Sequence, residues 1–327
     1  MIQKKTTNSY AKLLFLLVFF TWFCLSAMKS SAQEAALNYM PYYELANEAR
    51  MLLHNKEYQK SLDKYEEAFS KYYGFEDDYT DAVKASLKIN NSTKTFDLLK
   101  GKLLKTGWYN DEIFDSTFQT FLKSNEGKKY IDEKKKWEDE NRKTIDPSVY
   151  GFIRAVDATD QYGRAGFNKL LRTYMTDSVF KLFKPELIEY TDSVNFTRLK
   201  KHISTYGFPG RKKLGGKDYM HTIVLHLYNY NEKTDSLSAF KRAKFQYLDS
   251  VLLQQVNLGE FSPWHYAYAT DYSLSVGKSS WYGVNQFFKF PIKDIENVEK
   301  RRKAIGLMSL KQQCILSGKP LPKEYKE

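Results

Sequence analysis

The side chains best suited to chemistry are few. His226 stands in Ile223-Val224-Leu225-His226-Leu227, a short apolar run. An imidazole titrates near neutrality, which suits a general acid or base. The same surroundings suit a core histidine with one satisfied hydrogen bond. Asp271 follows Ala267 by one helical turn and Trp264 by two, so it points where the apolar face points. A buried carboxylate requires a partner, and His226, Tyr282 and Arg302 are the candidates. They outline a hydrolase-type site in which His226 is base or acid, Asp271 orients it, and Tyr282, Asn285 and Arg302 bind substrate. Arg302 follows Val298 by one turn and leans inward as well. An Asp–Arg structural pair would therefore account for both residues without catalysis. Upstream, Asp157, Asp160 and Arg164 in VDATDQYGR share one helix face. That pattern is either a surface ion pair worth under ~1 kcal/mol or an acidic lip on a cleft, with Asp160 and Arg164 on the ligand.

Other chemistries lack their residues. His221 and His226 are separated by about 140° on a helix and do not form a metal-binding i,i+4 pair, so no metal and no cofactor are expected. Gly207, Gly210, Gly215 and Gly216 follow a helix rather than a strand, which excludes a phosphate loop. There is no Gly-x-Ser-x-Gly elbow. Cys314 lies on an apolar helix face and reads as an inert core thiol. Asp-Ser followed by Val, Leu or Thr recurs at Asp115, Asp177, Asp192, Asp235 and Asp249. It resembles the O-glycosylation acceptor pattern of one bacterial phylum, although helix capping explains it more simply.

The elements that must position these residues begin after residue 32. Residues 1–32 read as a secretion signal: Lys4, Lys5 and Lys12, then the apolar run Leu13 to Ala27, then Ser30 and Ala32 at a cleavage site. The run is short for a membrane span, and membrane contact is expected only if the signal stays uncleaved. The chain carries +12, or +8 without the four lysines of residues 1–32. Its lysines are mixed with acids, as in KKYIDEKKKWEDENRK, which reads as a solvated helix face rather than a nucleic-acid groove. An exported location, periplasmic or secreted, also argues against a nucleic-acid partner. With Cys314 the single remaining cysteine, no internal disulfide forms and the fold must rest on burial.

A mainly α protein is expected, with tetratricopeptide-like hairpins over 33–123. Leu45, Ala49, Leu52 and Leu53 form one helical stripe, and Tyr58, Leu62, Tyr65, Ala68, Phe69 and Tyr72 the next. They resemble one tetratricopeptide repeat, with Ser61 at a small position and Lys56 where the turn glycine is usual. A poorer second copy runs from Tyr79 to Thr106 and stops at Gly107. Two units are fewer than a free-standing array needs, so a docking layer is preferred to a peptide groove. Residues 124–145 read as an exposed charged connecting helix. A C-terminal helical domain, 146–327, restarts at Asp146-Pro147. Within it, Asp192 and Asn195 are candidate caps, Ser262-Pro263 opens another helix, and residues 281–292 look extended or hairpin-like.

From Asp146 onward the chain resembles an uncharacterised, widespread bacterial domain. Asp160-Gln161 with Arg164 is similar to its Asp-Gln-x-x-Arg. Tyr206-Gly207-Phe208-Pro209, followed by Gly215 or Gly216, is similar to its Gly-Trp-Pro turn. His226 matches a Gln-His position, and Ala267-Tyr268 with Asp271 an Ala-Tyr-Leu-x-Asp-Arg. Tyr282-Gly283 and Asn285 look like Tyr-Gly-Thr-Gln, and Pro291-Ile292-Lys293-Asp294 with Val298, Arg302, Gly306 and Leu307 matches the final stretch. Leu225, Tyr272, Val284 and Asn285 depart from the pattern. The resemblance implies an architecture and candidate positions but no reaction. The leading expectation is an exported, non-catalytic interaction or structural protein of the bacterial envelope that meets another envelope protein through its N-terminal helices. The alternatives are the hydrolase outlined above and glycan binding through Trp264, Trp281 and neighbouring tyrosines.

Overall fold

The computed structural model describes residues 38–107, 115–166, 176–228, 239–275, 279–284 and 290–326, with the isolated residues 169 and 173. Residues 1–32, expected as a secretion signal, and Asn285 lie outside them. The fold is mainly α, with 13 α-helices and no strand among the described residues. None of these helices is long and apolar enough to cross a membrane.

Helices α1 (Met40–His54) and α2 (Tyr58–Lys71) form the first hairpin. Ala49, Ser61, Leu62, Tyr65 and Ala68 are buried between them and the next layer. Ser61 is small enough for close approach, and its Oγ donates to the Ala49 carbonyl at 2.8 Å. Lys56 turns the chain at φ +65°, a conformation that glycine reaches without strain. The second hairpin is α3 (Glu76–Lys88) and α4 (Ser92–Thr106). Asn91 caps α4 by accepting from the Lys94 N–H, and Gly107 ends it at φ +58°.

After α5 (Ser116–Leu122), α6 (Asn125–Lys143) occupies the segment expected as an exposed connector. One face of it is packed. Tyr130 and Trp137 are buried, and Trp137 meets the edge of Phe96 on α4 at 5.4 Å. Asn141, also buried, donates to Leu104 O at 3.0 Å and Gly215 O at 2.9 Å. That fork ties α4 to the Gly215 loop, 74 residues beyond Asn141. Charge density alone hid this face, because two aromatic residues suffice to anchor a helix whose other sides are solvated.

Asp146 caps α7 (Pro147–Gln161), which a π-helical turn, Tyr162–Gly166, extends. Helix α8 (Asp177–Tyr206) runs thirty residues, so Asp192 and Asn195 are interior positions rather than caps. Asp192 accepts from Arg164 and Asn195 donates through Nδ2 to Val156 O at 3.4 Å. The rest comprises α9 (Met220–Leu227), α10 (Ala239–Asn257), α11 (Pro263–Ser275), α12 (Val298–Ala304) and α13 (Leu310–Ser317). A Ser309–Gln312 capping box starts α13. Over 281–292 the described residues form no strand; Ser280 and Ile292 make one isolated bridge.

A single apolar cluster runs from Tyr39 to Ile305 and joins the hairpins to the later helices. Arg211, which is fully buried, is its polar rivet. Its guanidinium donates to the carbonyls of Gly259, Gly74 and Tyr73 and lies 3.7 Å from the Phe75 ring centroid. Three carbonyls and an aromatic face suit a planar fork of donors. Gly216 completes the seam: at φ +86°, a Cβ there would fall 2.0 Å from Lys105 O.

Candidate functional sites

Helix α7 buries Val149, Ile153 and Val156, and Asp160 continues the same stripe. The fold thus drives a carboxylate inward, where it must be matched. The Asp160 Oδ2 lies 2.6 Å from His226 Nδ1 and accepts from Gln161 Nε2 at 3.0 Å; Oδ1 accepts from Arg164 Nε at 2.9 Å. Arg164, carried on the π-helical turn, also reaches Asp192 of α8. Burial pushes the Asp160 pKa up, but the hydrogen bonds from His226 and Arg164 outweigh it and hold the carboxyl below its usual range. Asp192 goes the other way, raised by burial against the opposing charge of Arg164. An ionised Asp160 only accepts, so His226 donates through Nδ1, which leaves Nε2 as an acceptor. The His226 side chain is 23 % exposed. This arrangement can hold an imidazole as a base.

Asp271 is not the partner of His226. It is fully buried and accepts from Ser280 Oγ at 2.6 Å and from the N–H groups of Trp281, Tyr282 and Val284 at 2.6, 2.8 and 2.7 Å. Arg302, equally buried, donates to Met308 O at 2.8 Å, to Tyr282 O and to Gln313 Oε1. The two residues grip opposite ends of the Tyr282 peptide unit and so hold the 280–284 loop as a latch. Burial lowers the Arg302 pKa to about 10 and raises that of Tyr282 to about 12. The Tyr282 side chain is itself buried. Asp271, Tyr282 and Arg302 do meet, around the main chain of Tyr282, in a closed structural unit. From the second expected set, Asp160 is the residue that meets His226, and Arg164 joins through Asp160. Asp157 instead pairs with Arg154 on the surface, at 3.3 Å.

A third feature was not anticipated. A cleft of about 360 Å³ opens at the seam between the hairpins and the later helices, within the size range of small-molecule pockets. One wall carries Asn47 and Arg50 of α1 and the start of α3; the other carries Lys217–Tyr219, Ser262–His265 and Gly306–Met308. His265 Nδ1 lies 2.7 Å from Asp218 Oδ2, and the His221 ring sits tilted against that of His265, with centroids 4.4 Å apart. Burial, then the neighbouring His265, lowers the His221 pKa. Burial raises Glu76 to about 7 against the pull of Lys102, and it lowers Lys217. Arg50 donates to the buried Asp78, which also receives the Tyr42 hydroxyl. Trp264, at 37 % exposure, lines this cleft. Trp281 is half-buried under Arg301, 4.2 Å from its ring centroid. The sequence signal that would have found the cleft is the pair Asp218 and His265, but 47 positions separate them.

Among the described residues, no group of three or more His, Cys, Asp or Glu is placed to hold a metal ion. No protein-family model, no curated protein and no solved structure matches the chain.

Proposed function

We propose that the protein is an exported envelope protein with a non-catalytic interaction role, in which the N-terminal hairpins and the later helices jointly form one binding cleft. The observation that carries this reading is the seam cleft. It has a ligand-sized volume, apolar walls and a few fixed polar groups. The tetratricopeptide-like character of the hairpins supports it, since such helices serve as interaction scaffolds. Another envelope protein reached through these helices is a natural partner. Several basic residues of α6 pair with acids of the same helix, as in Lys129–Glu133, Lys135–Asp139 and Arg142–Asp139, which disfavours nucleic acid. Two experiments test the proposal. N-terminal sequencing of the secreted form should begin at Gln33. A thermal-shift screen of small molecules should return hits that Trp264→Ala abolishes. A chain retained uncleaved in the cytoplasm, or hits indifferent to Trp264, would overturn it.

A hydrolase-type reading keeps one observation in its favour, the 2.6 Å His226–Asp160 pair. In that reading Asp160, not Asp271, orients the imidazole. Turnover of chromogenic ester or phosphoester substrates that is lost in both His226→Ala and Asp160→Asn would establish it.

A further inference from the structure

We infer that the seam cleft is a carbohydrate site that takes a neutral mono- or disaccharide. This inference rests on the reading of the cleft as a binding site and adds the ligand class. A sugar ring presents an apolar face of C–H groups and an equatorial edge of hydroxyls that both donate and accept. The cleft offers the counterpart of each. Trp264 is an exposed aromatic plate beside Pro263, with Tyr219 on the same wall. A large rigid ring supplies apolar contact at little entropic cost.

The hydroxyl edge would meet planar polar groups that are already held in place. Arg50 is fixed by Asp78 at 2.5 Å and by Asn47 Oδ1 at 3.1 Å. Asn47 is fixed in turn by Gly306 O at 3.0 Å. His265 is fixed by Asp218. Arg50 has more N–H groups than these bonds use, and Asp218 retains an oxygen. With its Nδ1 proton on Asp218, His265 presents Nε2 as an acceptor for a hydroxyl. Groups held by internal partners lose little freedom when a ligand arrives.

Charge selects the class. Arg50 faces Asp78, His265 faces Asp218, and Glu76 has Lys102 at 4.0 Å with Lys217 also lining the cleft. Arg211 is spent on backbone carbonyls. An anion would meet Glu76, Asp77 and Asp218, and a cation would meet Arg50 and Lys217. A neutral, hydroxyl-rich ligand avoids both repulsions.

The test is a glycan microarray probed with the secreted chain, followed by calorimetric titration of the best glycan. The expected result is binding that weakens about tenfold or more, roughly 1.4 kcal/mol, in Trp264→Ala and in Asp218→Asn, and that is unchanged in His226→Ala. Circular dichroism melts confirm that the variants fold. Glycan binding indifferent to both cleft variants overturns the inference. So does a blank array accompanied by a melting shift from the neutral probe 2-phenylethanol that Trp264→Ala abolishes; in that case the cleft remains a binding site for another class. If neither the array nor 2-phenylethanol gives a response, the carbohydrate class and the cleft's binding role fall together.

Discussion

Asp160 and Asp271 are both buried carboxylates on the inward stripe of a helix, and the molecule uses them differently. Asp271 takes three backbone N–H groups and a buried hydroxyl, all from one loop. Asp160 takes side chains from a helix and a π-helical turn, and one of those, His226, is partly exposed. The first arrangement fixes backbone and is closed to solvent. The second holds a titratable ring whose outer nitrogen still accepts. Burial of an acid therefore says little about its role; the kind of partner it finds says more.

The largest expected effect is at the latch. Asp271→Ala strands three N–H groups and a hydroxyl inside the core and should cost about 3–5 kcal/mol in urea denaturation. Asp160→Ala leaves Arg164 with Asp192 and should cost less, about 2–3 kcal/mol. The reverse order would break the comparison. His226→Ala should lower stability by under about 1.5 kcal/mol, because its ring is near the surface and its loss leaves Asp160 with Arg164.

Two pH experiments sharpen the contrast. The Asp160 carboxyl is held below its unfolded value. Its stabilisation is present above about pH 4 and fades as pH falls through the folded pKa. The stability gap between wild type and Asp160→Asn should therefore shrink in acid. Glu76 behaves oppositely, with a folded pKa near 7 against an ordinary 4.5. Its contribution is full below about pH 4.5 and is lost as pH rises through about 7, so Glu76→Gln should gain on wild type across that window. A constant difference would remove Glu76 from the list of strained cleft groups. The smallest effect belongs to Asp157→Ala, within about 0.5 kcal/mol, as expected of an exposed pair.

Periodicity made the helices legible: the hairpin stripes and the Pro147 and Pro263 starts all follow from local chemistry. It also marked Asp271 and Arg302 as inward residues. Their partners were not legible, because main-chain donors carry no sequence signature. Asp160 was grouped with Asp157 by spacing to Arg164, although Val149, Ile153 and Val156 lead directly to it on the buried stripe. Weighing that stripe above the charge spacing would have paired it inward. The cleft was illegible for a different reason. Its walls come from α1, α3, two later loops and the start of α11, and only tertiary packing brings them together.

The most direct test is a thermal-shift screen run in parallel on the wild-type chain from Gln33 onward, Trp264→Ala and His226→Ala. The expected hits vanish in Trp264→Ala and persist in His226→Ala. Hits that persist in Trp264→Ala and vanish in His226→Ala would contradict that expectation and move the functional site to the Asp160–His226 pair.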